Sequence, residues 1–208
     1  MDKDNPIVYL VDDEPAVARA LARLLRFSGF STCTYNSPEE FLAGHDPGKP
    51  GCIVLDLSMP GMSGLALQKV LVERAMGAPS QPVVFLTGRA DVSSSVEAMK
   101  SGAVDFLTKP VDDRTLIEAV RGAIERDERT RRERRANRES IERLATLTPR
   151  EREVLAHVAT GKLNKQIAFE LGTTEKTIKV HRARVMTKMG AESLADLVRI
   201  ADRCGVRP

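Results

Sequence analysis

Five short runs rich in β-branched and aromatic residues punctuate the first 124 positions: IVYLV (7–11), FSTCTY (30–35), CIVLD (52–56), VVFLT (83–87) and VDFLT (104–108). Such runs read as strands. Amphipathic segments lie between them. VARALARLLRF places Val17, Leu21, Leu24 and Leu25 on one face with Gly29 as a C-terminal stop, and Ser37-Pro38-Glu39-Glu40 combines an N-cap, a first-turn proline and a capping-box glutamate. Strands separated by helices imply right-handed βαβ units and a parallel sheet covered on both faces. The expectation for residues 1–124 is an α/β domain with a five-stranded parallel sheet.

Composition shifts twice beyond that point. Residues 1–124 hold 12 Lys/Arg against 16 Asp/Glu, residues 125–143 hold 8 against 6, and residues 144–208 hold 12 against 7, so the overall +3 joins an acidic front to a basic back. Within 125–143, 14 of 19 residues are charged and only Ala136 and Ile141 are apolar. No Pro or Gly interrupts this stretch, and Glu and Arg are good helix formers, so it is expected to be a solvated helical linker, too polar to be buried. From Leu144 onward, Thr148-Pro149-Arg150-Glu151 repeats the capping signature. Gly161, Gly172 and Gly190 then separate four expected helices at 149–160, 164–171, 175–189 and 193–204, an all-α module over 144–208.

No segment approaches the about 18–20 apolar residues of a membrane span, and the N-terminal MDKDNP lacks the features of an export signal. A cytoplasmic protein that does not enter membranes is expected. Cys33, Cys52 and Cys204 are odd in number and lack CxxC pairing, which reads as inert thiols rather than a disulfide framework or zinc site.

The first strand runs into Asp12-Asp13-Glu14, and the third ends in Asp56. In an open parallel sheet the C-terminal strand ends line the functional crevice, so these carboxylates are expected to converge there. A hard cation such as Mg²⁺ (or Mn²⁺) would relieve their repulsion. The fourth strand ends in Thr87, and Lys109-Pro110 follows the fifth. Together these groups suit phosphoryl transfer to a carboxylate, because metal and ammonium neutralise the phosphoryl oxygens while the hydroxyl contacts one of them.

The residues VDDE (11–14), DLSMPGMSG (56–64), TG (87–88) and FLTKP (106–110) resemble the receiver domain of two-component response regulators, over roughly residues 5–123. The resemblance implies a flavodoxin-like strand order, Asp56 as phosphoacceptor, and Asp12 and Asp13 as the acidic metal pocket. It also implies that Ser58 lends the metal its backbone carbonyl and that Thr87 and Lys109 contact the phosphoryl group. Thr87 and Phe106 would form the switch, Phe106 by packing alone because it lacks a tyrosine hydroxyl. The surface formed by the fourth strand, the helix after it and the fifth strand, residues 83–110, would mediate dimerisation. Arg89, two residues past Thr87, reads either as a solvated loop cation or as a modulator of phosphoryl lifetime.

In the C-terminal module, NKQIAFELGTTEKTIKVHRARVMTKM (164–189) reads as helix, tight turn, helix. At about 100° per residue, Ile178, Val185 and Met189 share one stripe. Opposite them lie Lys176, Lys179, Val180, Ala183, Arg184 and Thr187, a basic face with small interruptions that suits the DNA major groove. LTPREREVL (147–155), GKLNKQIA (161–168) and TIKVH (177–181) resemble the LuxR-type helix-turn-helix, and with the receiver they resemble the FixJ/NarL class, nearest to FixJ-like regulators in VEAMKSGAVDF and HRARVM. Lys165 and Arg182 are expected to serve the DNA backbone or the helix interface, and His181 to be a packed, hydrogen-bonded structural residue.

The resemblance thus implies a DNA-binding transcriptional response regulator rather than an enzyme, with at most slow self-dephosphorylation. Its implied partners are a sensor histidine kinase, double-stranded promoter DNA, RNA polymerase and, on phosphorylation, a second copy in a homodimer. A haloacid-dehalogenase-like phosphatase also uses a strand-end Asp and Mg²⁺, but its two aspartates stand two residues apart after the first strand, whereas Asp12 and Asp13 are adjacent. A receiver acting as an unphosphorylated interaction module is the other alternative.

Overall fold

The computed structural model describes residues 5–74, 81–88, 96 and 98–206. Arg89 lies outside them. The chain divides into two compact units, Met1–Arg131 and Arg132–Pro208.

In the first unit the elements run β1 (Ile7–Val11), α1 (Pro15–Phe27), β2 (Ser31–Tyr35), α2 (Pro38–Gly44), β3 (Gly51–Asp56), α3 (Gly64–Arg74), β4 (Val83–Thr87) and β5 (Asp105–Thr108). A 33-residue helix, α4 (Asp113–Ala145), begins in this unit and ends in the second. The five strands are parallel in the order β2-β1-β3-β4-β5. Each central strand buries both of its faces, which is why β1, β3 and β4 read as continuous apolar runs. Val8, Leu10, Val54 and Leu86 pack with Ala22 and Leu25 of α1 and Leu116, Val120 and Ala123 of α4. The alternate residues Tyr9, Val11, Ile53, Leu55 and Phe85 pack on the other face with Phe41 of α2 and Leu67 and Leu71 of α3. The period-two side-chain direction of a strand divides one apolar run between two cores.

Gly51 opens β3 with φ +147°, and a Cβ there would run into the Ile7 backbone carbonyl of the neighbouring strand. Its N–H donates to Asp127 Oδ2 at 2.8 Å. That contact corrects the expectation that residues 125–143 are too polar to be buried: Asp127 is 5% exposed and Ser140 6%. Both are buried with hydrogen bonds, as buried polar groups require. Ser140 donates to the Ala136 carbonyl of its own helix at 2.7 Å. The rest of the stretch is the expected solvated helix, with i,i+4 pairs Arg135–Glu139 and Arg138–Glu142, both at 3.1 Å.

The second unit adds α5 (Pro149–Ala159), α6 (Asn164–Glu170), α7 (Glu175–Met189) and α8 (Leu194–Arg203). Val154, Leu155, Val158, Ile167, Ile178, Val185, Met189, Leu197 and Ile200 form its core. α5 starts in a complete capping box: Glu151 N–H donates to Thr148 Oγ1 at 3.3 Å, and Thr148 N–H donates to Glu151 Oε2 at 2.9 Å. The same Glu151 oxygen accepts from Lys188 Nζ, at the end of α7, at 2.6 Å. The Lys188 hydrogen bond foremost, then that of the Thr148 N–H, pulls the Glu151 carboxyl from its ordinary 4.5 to about 2.

Two outcomes follow for stability. Gly51→Ala is expected to lower receiver stability by about 1–3 kcal/mol from the positive φ alone, and further through the collision with Ile7; a urea melt unchanged from wild type would contradict this. Glu151 holds its proton more weakly folded than unfolded, so its contribution is complete above pH 4.5 and is lost as pH falls toward about 2. Glu151→Gln is therefore expected to flatten the acid dependence of the second unit's melting in that window. Parallel wild-type and variant curves would refute the assignment.

Candidate functional site

The strand order decides which chain ends meet. Because β1 and β3 are neighbours, Asp12, just past β1, and Asp56, the last residue of β3, emerge at the same edge of the sheet. β4 delivers Thr87 beside β3, and the loop after β5 returns Lys109, whose N–H donates to the Thr87 carbonyl at 2.7 Å. Lys109 Nζ lies 2.7 Å from Asp12 Oδ2 and 2.9 Å from Asp56 Oδ1, with Glu14 Oε1 farther out at 3.9 Å. Burial, the largest single influence, would lower the Lys109 pKa, but its hydrogen bonds and charge interactions with Asp12 and Asp56 outweigh it and raise the pKa. The ammonium therefore stays protonated between two carboxylates that are nearly inaccessible to water, Asp12 at 3% and Asp56 at 4% exposure.

The outer oxygens of both acids are tied to backbone. Glu14 N–H donates to Asp12 Oδ1 at 2.9 Å, and Ser58 N–H donates to Asp56 Oδ2 at 3.0 Å. Each carboxylate keeps further lone pairs, since an ionised carboxylate has about four acceptor sites. Asp13 is half-buried beside Asp12, and Ser58 is exposed. Among the described residues, no three His, Cys, Asp or Glu side chains come together as a metal cage. The donor set that is present consists of hard, anionic oxygens in excess over the one ammonium. That chemistry fits Mg²⁺, which keeps several waters and binds through one or two carboxylates.

Close approach in the loop after β3 depends on Gly64, where a Cβ would meet the Asp56 carbonyl oxygen. Thr87 is completely buried. Phe106 of β5 is half-buried and packs against the core on the α2/α3 face of the sheet, its ring 6.3 Å from Phe85 at 45°. The carboxylates, the ammonium and Thr87 thus meet at one rim of the sheet, and Phe106 lies on the strand leading to Lys109.

In the second unit, α6, the turn at Leu171–Thr174 and α7 form a helix-turn-helix. Gly172 takes φ +61°, and Thr174 caps α7 by accepting from Thr177 N–H at 3.2 Å. Arg150 Nη2 braces the turn at the Leu171 carbonyl, 2.5 Å away. On α7, Ile178, Val185 and Met189 are buried, whereas Lys176, Lys179, Val180, Ala183, Arg184 and Thr187 are all exposed. Arg182 turns instead to Asn164 Oδ1 of α6 at 2.6 Å, serving the helix interface, and Lys165 is exposed. His181 is packed, but its buried Nδ1 has no hydrogen-bond partner, so the expectation of a hydrogen-bonded histidine fails at that atom.

Sequence reasoning missed the groups that hold α7 in place. Arg143 Nη1 donates to the Met189 carbonyl at 3.1 Å, and Lys188 Nζ donates to the Thr146 carbonyl at 3.1 Å. Arg143 lay in the charge run read as solvated, and Lys188 carried no reading of its own. It also missed Asp127, although its position, four residues after Ala123, continues the buried stripe of α4.

Comparison with known proteins matches both units. Residues 8–121 match the response regulator receiver domain, and residues 145–201 match the bacterial regulatory proteins of the luxR family. The chain is 46% identical to the transcriptional regulatory protein FixJ of Azorhizobium caulinodans, covering 97% of this chain and 94% of that protein. It is 43% identical to nodulation protein W of Bradyrhizobium diazoefficiens, covering 96% and 87%. The solved structure of the response regulator StyR superposes with a TM-score of 0.81 at 39% identity, over 96% of this chain and 99% of that one. With both domain matches and these relatives over nearly its whole length, the chain belongs to the response regulators that join a receiver domain to a LuxR-type DNA-binding domain.

Proposed function

We propose that Asp56 accepts a phosphoryl group from a sensor histidine kinase and that this event controls binding of α7 to promoter DNA. The observation that carries the reading is the Lys109 ammonium shared by Asp12 and Asp56 at the C-terminal edge of the sheet. An Asp56 oxygen attacks phosphorus, and the new P–O bond forms as the donor's bond to phosphorus breaks. Lys109 stands ready to neutralise a phosphoryl oxygen, and it can move toward one because Asp12 already stabilises its charge. Thr87 offers a hydroxyl at the end of the adjacent strand. Asp12, Asp13, Asp56 and the Ser58 carbonyl would hold Mg²⁺, which when bound offsets negative charge on the transferring group. The chain is a phosphoacceptor rather than an enzyme, any self-dephosphorylation being slow hydrolysis of its own aspartyl phosphate.

The signal then moves from the rim to the outer surface. Thr87 shifts toward the phosphoryl group and Phe106 turns inward behind it, altering the surface beside β4 and β5, through which two copies associate; residues 89–95 and 97 of the expected dimerisation surface lie outside the described residues. Two associated copies present two α7 helices to paired half-sites, and avidity converts weak single-site binding into operator binding. Lys176, Lys179, Val180, Ala183, Arg184 and Thr187 meet the major groove, and bound dimers engage RNA polymerase.

Selection of DNA from a random library at fixed salt, with and without acetyl phosphate and Mg²⁺, tests the reading. The phosphodonor is expected to tighten binding to a two-half-site sequence by about tenfold or more, a gain within the reach of bivalent engagement. Asp56→Asn is expected to abolish the gain, and equal affinity in all three states would refute phosphorylation control. Lys179→Ala or Arg184→Ala is expected to weaken binding by about 1–3 kcal/mol where the side chain reads a base, or to reduce the salt slope by about 1 where it meets a phosphate. Variants indistinguishable from wild type on both measures would remove α7 from the interface.

A further inference from the structure

The apolar stripe by which α4 packs on the sheet, Leu116, Val120, Ala123 and Ile124, does not end where the sequence turns polar. The next positions on the same face are Asp127 and Arg131. Asp127 Oδ2 accepts from the Gly51 N–H at 2.8 Å and from Arg131 Nε at 2.7 Å. The Arg131 guanidinium then reaches three carbonyls of the loop before β3: Gly48 at 2.8 Å from Nη1, and Pro47 at 3.1 Å and Lys49 at 2.6 Å from Nη2. The Lys49 carbonyl also accepts from Gln81 Nε2 at 2.6 Å, and Gln81 leads into β4. One carboxylate–guanidinium pair thus grips the N-terminal end of β3, and it shares the Lys49 carbonyl with Gln81, just ahead of β4; the opposite ends of these two strands carry Asp56 and Thr87.

Local helix chemistry does not require such an arrangement. An exposed i,i+4 pair contributes little to stability, and the Arg135–Glu139 and Arg138–Glu142 pairs farther along α4 are of that kind. The Asp127 side chain is 7% exposed, and Arg131 uses Nε, Nη1 and Nη2 at once. Burial and multiple charge-assisted hydrogen bonds make the contact a specific one. The compact unit accordingly runs to Arg131, ten residues past the end of the receiver match at 121.

We propose that Asp127 and Arg131 anchor the linker helix to the entry end of β3 and, through the shared Lys49 carbonyl, to the segment ahead of β4, fixing the register at which α4 leaves the receiver, and that the state of the Asp56 pocket reaches the DNA-binding domain through this anchor. The proposal rests on the phosphorylation-controlled reading above. Strands β3 and β4 serve as the connection, since a displacement at Asp56 or Thr87 is transmitted along paired backbone to Gly51 and to the Gln81 segment. α4 then carries it as a helix that cannot slip or unwind between 125 and 131.

The test uses the full chain and compares wild type with Arg131→Ala, Arg131→Lys and Asp127→Asn. Hydrogen exchange of the 125–131 amides is expected to quicken by about tenfold or more in Arg131→Ala, matching the loss of charge-assisted hydrogen bonds, with 116–123 unchanged. Uptake of label from acetyl phosphate is expected to stay at the wild-type rate, while most of the phosphodonor-dependent gain in DNA affinity is lost. Arg131→Lys is expected to restore little, because one ammonium cannot reproduce the guanidinium fork. Where Arg131→Ala impairs label uptake, Asp127→Asn decides: it keeps an oxygen toward Gly51 and is expected to lose both the protection and the gain. Unchanged exchange in both variants, or a gain that survives at wild-type size, overturns the anchor. A wild type with no gain at all refutes phosphorylation control, whereas a wild-type gain retained by the variants refutes only the anchor.

Discussion

The receiver depends on one ammonium held between two buried carboxylates. Asp12 and Asp56 arrive on adjacent strands, and their charges would repel strongly in a region nearly closed to water. Without a cation, that repulsion would stand uncompensated at the sheet edge. Lys109 offsets it at 2.7 and 2.9 Å, and its reach is set by the loop after β5, tied back to the Thr87 carbonyl. Strand order, the end of β4 and the course of the chain after β5 therefore serve a single electrostatic requirement. The same balance leaves a surplus of negative oxygen, which a divalent cation would offset.

The second unit meets a different requirement, that of holding one helix face outward. α7 is fixed by its buried stripe, by the braced turn before it and by Arg143 and Lys188 after it. The brace and the two later contacts use cations, Arg150, Arg143 and Lys188, that charge counting alone would assign to solvent. The result is a helix whose outward residues need no support from one another.

The five strands and the helices of the second unit were legible because their signals are local: apolar runs, caps, and glycines at element ends. The rim residues were legible because each stands at the end of a readable strand. Asp127 and Arg131 were not, since their partners at 47–51 lie roughly eighty positions away and nothing in the intervening sequence marks the contact. Averaging charge over the nineteen residues of the linker also hid a change of role within it: its first two turns belong to the receiver, and the later ones are solvated except where Ser140 is buried and Arg143 reaches the Met189 carbonyl. His181 shows a subtler limit. Its packing was expected from the helix-turn-helix resemblance, but the partner of a ring nitrogen depends on atoms that no pattern specifies.

The bracing of α7 bears on how strongly this protein responds to ionic conditions. Several cations that make the C-terminal composition basic are already engaged within the fold: Lys188 with Glu151, Lys162 with Glu170, Arg150 with Glu153 and a carbonyl, and Arg182 with Asn164. A cation held in this way has few counterions to release. The displacement of ions from DNA, which governs how affinity falls with salt, then belongs chiefly to the exposed cations of α7 and its surroundings rather than to the whole basic complement. Net charge identifies this domain as one suited to a polyanion, yet it overstates the polyanion's hold. The fold divides its cations into structural ties and contact groups, and only the second class sets the ionic strength at which the protein would let go.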